Sequence, residues 1–161
     1  MKKKLRSSIV LCGGISSRMG DLTLEVPKAL LKIQSKPIIW YTIGFLIKHG
    51  INRFIFPLGY KGQMIEKFLL EVYSDLNIEL IFRDTGQNTP IHSRIEQVSK
   101  YLDEKESFVL INSDTLFKFD LLSMIKLHNK KENDITLSSV PVESPWGIIT
   151  TKNKNEIVGF E

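Results

Sequence analysis

The run Ser7-Ser8-Ile9-Val10-Leu11-Cys12-Gly13-Gly14-Ile15-Ser16-Ser17-Arg18-Met19-Gly20 passes from a short apolar segment straight into a loop rich in glycine and serine. Ser7 to Leu11 reads as a first β-strand, and the loop admits no regular structure until Met19 is passed. Downstream, short apolar runs alternate with longer stretches of helical spacing, the pattern of a β-α-β chain with a mostly parallel central sheet flanked by helices. The spacing predicts a helix from Pro37 to His49, opened by the proline and closed by Gly50. A strand at Phe54-Ile55-Phe56, a helix from Gln63 to Val72 and a strand from Ile78 to Phe82 are expected next. Ile95, Val98, Tyr101 and Leu102 mark the apolar face of a helix beginning near Ser93. Phe108-Val109-Leu110-Ile111 is uninterrupted and apolar, as a central strand buried on both faces would be. A helix from Leu121 to His128, a strand from Ile135 to Val142, and a hairpin of Gly147 to Thr151 with Glu156 to Phe160 complete the expectation.

The 161 residues are 42% hydrophobic and 25% charged, the composition of one globular domain. Cys12 is the only cysteine, so neither a disulfide framework nor a cysteine-rich metal site is available, and a reducing cytoplasm is the expected setting. The basic start Met1-Lys2-Lys3-Lys4 is followed by an apolar run that Gly13-Gly14 halts too early for a signal peptide, and no segment approaches a membrane span. The net charge of +4 lacks a basic stripe interleaved with aromatics, so nucleic acid is not an expected partner, while a small polyanion is.

In open α/β sheets, ligands sit where loops leave the carboxyl ends of strands. Two such places stand out. In the Gly13–Ser17 loop, glycines allow close backbone approach, and amides, hydroxyls and Arg18 can face phosphate oxygens. Gly-Gly alone would be a plain turn, but Pro27-Lys28 adds a second cation soon after Arg18. The spacing is neither G-x-G-x-x-G nor a P-loop. The second place is Asn112-Ser113-Asp114, whose carboxylate follows the apolar run; magnesium accepts a few carboxylate oxygens completed by water and phosphate. Alone, such an aspartate is more often a cap or turn residue. His49, His92 and His128 lack metal-ligand spacing, and Cys12 reads as a small buried filler.

Gly13 to Met19, continuing through Leu22-Thr23 to Pro27-Lys28-Ala29-Leu30, resembles the signature loop of the sugar nucleotidyltransferases, G-G-x-G-T-R-[LM]-x-P-L-T followed by P-K-x-L. Lys36-Pro37-Ile38-Ile39, His49-Gly50-Ile51, Gly59-Tyr60-Lys61-Gly62, Asp84-Thr85-Gly86 and the strand-end Asp114 extend the match in order. Within that family, Gly59 to Gly62 and Asp84 to Gly86 look most like the glucose-1-phosphate cytidylyltransferases. The resemblance implies a Rossmann-like nucleotide-diphospho-sugar transferase fold and transfer of an NMP, CMP favoured, from an NTP to a sugar 1-phosphate with release of pyrophosphate.

The implied catalytic residues are Arg18 on the β- and γ-phosphates, Lys28 on the α-phosphate or incoming phosphate, and Asp114 on magnesium. Leu11, Gly13, Gly14, Ser16, Ser17, Thr89 and Arg94 would join Arg18 and Lys28 in binding nucleotide, and Gly147 would lie beside the sugar. Ser-Ser-Arg-Met-Gly at 16–20 departs from the family loop and is similar to the molybdenum-cofactor guanylyltransferases, which keeps a guanylyltransferase as an alternative. Residues 1–161 are expected to form a single nucleotide-binding domain, ending ahead of the family's Glu-Lys-Pro motif and second metal-binding aspartate. A non-catalytic nucleotide-binding or regulatory module is therefore a further alternative. Homo-oligomerisation is left open.

Overall fold

The computed structural model describes residues 5–14, 25–116, 118–131, 133–141, 147–153 and 156–160. Four strands, β1 (Leu5–Leu11), β4 (Arg53–Leu58), β5 (Glu79–Asp84) and β6 (Ser107–Asn112), form one sheet in the order β5-β4-β1-β6 with every neighbouring pair parallel. The chain builds outward from β1 through β4 to β5, then returns to place β6 on the other side of β1. That reversal leaves a crevice between the carboxyl ends of β1 and β6, where Leu11 is in register with Asn112.

Helices α1 (Ile38–Lys48), α2 (Gly62–Tyr73), α3 (Ile91–Ser99) and α4 (Leu121–Lys131) connect and cover the strands. In α1, Ile39, Ile43 and Leu46 repeat at helical spacing and are fully buried. They pack with Val10, Phe54 and Phe56 of the sheet and with Ile65 and Leu69 of α2. Val98 of α3 packs against Ile9 and Ile55 in the other apolar cluster. Gly50, with φ of +85°, ends the α1 segment as expected, its N–H donating to the Ile47 carbonyl at 2.9 Å. The hairpin is present as β7 (Ile149–Lys152) antiparallel to β8 (Glu156–Phe160).

Three expectations need correction. Ser107–Asn112 is an edge strand of the described sheet, not a central one: Ile111 is buried, while Phe108 and Leu110 are 40% and 47% exposed. An uninterrupted apolar run reports two apolar faces but says nothing of how many strands flank it. Residues 135–141 form no strand, and Ile135, Leu137 and Val140 are exposed; alternation becomes a strand only where a sheet edge accepts its hydrogen bonds. Val142 lies outside the described residues. Finally, α3 ends at Ser99, so Tyr101 and Leu102 pack on the core from the turn that follows. A small pair, β2 (Lys32–Ile33) with β3 (Lys36–Pro37), had no alternation to announce it and turns through Gln34 and Ser35 at positive φ. Among the described residues no helix is long and apolar enough to cross a membrane.

Candidate functional site

Above the crevice lies a cavity of about 380 Å³. One wall is Leu11, Gly13 and Gly14 after β1, another is the 87–91 segment with Arg94, and the third is Asn112 with Asp114 after β6. A larger apolar cavity, about 520 Å³, lies between β6, α4 and residues 134–137; it lacks the glycine loop and the cation–carboxylate pair.

Lys28 reaches the polar site through local chemistry. Pro27, with φ of −64° and ψ of 145°, starts a single 3₁₀ turn, Lys28–Leu30, closed by the Leu30 N–H donating to the Pro27 carbonyl at 2.8 Å. Ala29 is buried in the core and anchors that turn. Lys28 Nζ lies 2.7 Å from Asp114 Oδ2, both side chains about one-third exposed. Asp114 is fixed from its neighbours: the Ser113 N–H donates to the Leu11 carbonyl at 3.0 Å, and the Thr42 hydroxyl of α1 donates to the Thr115 carbonyl at 3.4 Å. The strand end, the first helix and the 3₁₀ turn thus converge on one carboxylate.

The opposite wall is tied to Arg94. Its Nε donates to the Thr89 carbonyl at 2.9 Å, Nη1 to the Leu58 carbonyl at 3.0 Å and to Thr85 Oγ1 at 2.6 Å, and Nη2 to the carbonyls of Gly13 and Gln87 at 2.9 and 3.0 Å. A guanidinium has five N–H donors, and here each meets a protein acceptor. Burial lowers the Arg94 pKa from its ordinary value, while Cys12 and Asp84 act to raise it. The 85–89 turn is closed by Thr85 Oγ1 donating to the Leu58 carbonyl at 2.6 Å, by the Gly86 N–H donating to Asp84 Oδ1 at 2.9 Å, and by Thr89 Oγ1 donating to the Thr85 carbonyl. Gly86 sits at φ of +87°, a left-handed conformation that glycine adopts without strain.

Cys12 is buried with Sγ directed at the Pro57 carbonyl. Desolvation pushes its thiol up to about 12, with Arg94 pulling in the other direction, so it stays a protonated filler at neutral pH. His92 is exposed on α3. His49 meets the Phe45 carbonyl, and His128 lies between the hydroxyls of Ser107 and Thr136.

The structure therefore gathers Leu11, Gly13, Gly14, Thr89, Arg94 and Asp114 around one cavity, with Lys28 joined through Asp114. Ser16, Ser17 and Arg18 lie outside the described residues. Gly147 is not in the cavity wall; the Phe160 ring packs where its side chain would be. Sequence reasoning overlooked Thr85 and Gly59 as supports of Arg94. It also placed α3's buried face on apolar residues alone, whereas Arg94 and Val98 are its fully buried members.

A family model described as nucleotidyl transferase matches residues 7–161. A probable glucose-1-phosphate cytidylyltransferase from Bacillus subtilis is 29% identical over 91% of this chain and 65% of its own length. The D-glycero-alpha-D-manno-heptose 1-phosphate guanylyltransferase of Aneurinibacillus thermoaerophilus is 31% identical over 96% of the chain and 66% of its own length. The chain thus spans about two thirds of these relatives. The crystal structure of HddC from Yersinia pseudotuberculosis complexed with GMP-PN superposes with a TM-score of 0.72 at 23% identity, covering 96% of this chain and 68% of that one, which shows the shared fold. With a family model running through both β1 and the Asp114 strand end, this chain belongs to the nucleotidyl transferase family.

Proposed function

We propose that this chain carries the nucleotide site of an enzyme that transfers an NMP, CMP favoured, from an NTP to a sugar 1-phosphate and releases pyrophosphate. The observation that carries the reading is the Lys28–Asp114 pair at 2.7 Å, with Asp114 in the wall of a cavity that also takes in Gly13 and Gly14. A cation, a carboxylate and exposed backbone at a sheet's switch point suit a polyphosphate and its counter-ion.

In the proposed reaction an oxygen of the sugar 1-phosphate forms a bond to the α-phosphorus while the bond to the pyrophosphate oxygen breaks, in line. Such transfer needs positioning and charge stabilisation more than a protein nucleophile. Lys28 would stabilise charge on the α-phosphate or incoming phosphate, Arg18 would hold the β- and γ-phosphates, and amides from Gly13 to Ser17 would cradle the remaining oxygens. Leu11 and Thr89 would contact the nucleoside; Gly147 lies outside this cavity wall, so a place for it beside the sugar rests on the family resemblance alone.

Among the described residues no cluster of three or more His, Cys, Asp or Glu side chains could hold a metal. The donor set still fits magnesium bound together with substrate, because that ion takes one or two carboxylates and completes its shell with phosphate and water. Asp114 would hold it, and the bound ion would offset charge on the phosphates.

GTP is the second reading, favoured by the 31% identical guanylyltransferase. A cytoplasmic setting belongs to the proposal, since the lone buried Cys12 suits a reducing compartment. Isothermal titration of CTP, GTP, UTP, ATP and dTTP, with and without magnesium, tests the site; pyrophosphate release with a sugar 1-phosphate tests turnover. Selective, magnesium-enhanced binding with turnover supports the enzyme, and binding without turnover supports a nucleotide-binding module. No binding to any of the five would end both readings.

A further inference from the structure

Arg94 stands on the buried face of α3, where helical spacing would put an apolar residue, and is 4% exposed. Among the described residues no carboxylate lies within ion-pair distance of it. Burying a cation without a counter-ion is unfavourable unless its hydrogen bonds are all made. Here they are made to both sides of the cavity: Nη2 alone joins the Gly13 carbonyl of the β1 loop to the Gln87 carbonyl of the β5–α3 loop. The surroundings are shaped to admit the guanidinium, since a Cβ on Gly59 would stand 2.8 Å from Nη1, and one on Gly13 would fall on the guanidinium itself.

We propose that Arg94 is a positioning residue of the nucleotide site, setting two of its three walls through their backbone carbonyls and giving no donor to the ligand. The proposal rests on the polyphosphate reading above and assigns Arg94 a role different from direct contact. Its logic is peptide geometry. In a trans peptide the C=O and the following N–H point to opposite sides, so capture of the Gly13 carbonyl turns the Gly14 N–H away from the guanidinium, and capture of the Gln87 carbonyl does the same to Asn88. Gly14 and Asn88 both line the cavity. One buried side chain thereby sets the direction of an amide on each of these two walls, while its charge, offset only by the more distant Asp84 carboxylate, favours an anion in the space between them.

Arg94→Lys tests this, because lysine keeps the charge but offers three donors from a single nitrogen. Amide hydrogen exchange is followed in the free protein over residues 11–14 and 85–89 with α1 as the internal reference, and CTP and GTP are titrated with magnesium. Faster exchange confined to the two loops is expected. A rise of about tenfold in Kd for the nucleotide that wild type binds should accompany it, the scale of one charge-assisted hydrogen bond. Unchanged exchange in both loops would overturn the proposal; paired with lost nucleotide binding, it would make Arg94 a direct ligand. Should Arg94→Lys fail to fold, Thr85→Val removes one of the five acceptors; because Thr85 also closes its own turn, the exchange of residues 11–14 alone then carries the test, and unchanged exchange there counts against the idea. If wild type binds neither nucleotide, the CTP and GTP readings fail, and the exchange comparison still decides whether Arg94 holds the two walls.

Discussion

Lys28 Nζ and Asp114 Oδ2 are 2.7 Å apart, so the cation of the 3₁₀ turn occupies the carboxylate at the end of β6. In the proposed reaction both groups change partners: Asp114 takes the metal and Lys28 takes a phosphate. Lys28→Ala should therefore shift two affinities in opposite directions. Magnesium binding to the protein without nucleotide should tighten, because the competing cation is gone. CTP or GTP binding should weaken by about tenfold, one charge-assisted hydrogen bond. Titration of magnesium alone and of each nucleotide with magnesium reads both, and equal weakening of the two would remove the competition argument.

Asp114→Asn should abolish the enhancement of nucleotide binding by magnesium while leaving the fold intact. The side chain is about one-third exposed, and such an ion pair contributes at most about 1 kcal/mol to stability. Thermal melting alongside the titrations separates the cases: a large fall in Tm would make Asp114 a structural residue.

Adjacent glycines should respond differently to alanine. A Cβ at Gly13 would collide with the Arg94 guanidinium and stand 3.0 Å from the Pro57 carbonyl, whereas at Gly14 it meets nothing within 4 Å among the described residues. Gly13→Ala should lower stability by about 1–3 kcal/mol, the usual scale of forced overpacking, and Gly14→Ala should leave it nearly unchanged. Urea unfolding of the two variants checks the contrast.

Stability should fall at alkaline pH. Burial pushes both the Cys12 thiol and the Tyr73 hydroxyl up to about 12, so the folded state keeps protons that the unfolded chain releases at lower pH. The sign follows: their contribution is fully present below about pH 8.5, the ordinary thiol value, and is lost as pH rises toward 12. Denaturant midpoints between pH 8 and 11 should decline, and less steeply in Cys12→Ala.

Phe56→Ala should destabilise by about 3–5 kcal/mol. Phe56 is fully buried and stacks on Phe82 with ring centroids 5.2 Å apart, at the junction of β4 and β5. Far-UV circular dichroism during denaturation measures the loss.

Much of this architecture was legible without coordinates, because its signals are local. The apolar run before Gly13, the Pro37 and Gly50 boundaries of α1, and the carboxylate directly after Phe108–Ile111 depend on neighbours within a few positions. They marked β1, the helix–strand alternation and the two strand ends to which the proposal assigns a ligand. The motif resemblance added the family, and the match over residues 7–161 bears that out. What the chain order could not carry is partnership between distant segments. Whether β6 lies inside or at the edge of a sheet depends on which strands accept its hydrogen bonds, and the alternation at 135–141 found none. That Lys28 meets Asp114 required the crossover that sets β6 beside β1. That Arg94 turns inward required four carbonyl groups, at Leu58, Gly13, Gln87 and Thr89, to converge where no spacing rule in one dimension could announce them. Periodicity determined which faces are apolar; only the packed sheet decided which charges meet, because long-range electrostatic and hydrogen-bond partners are chosen in space.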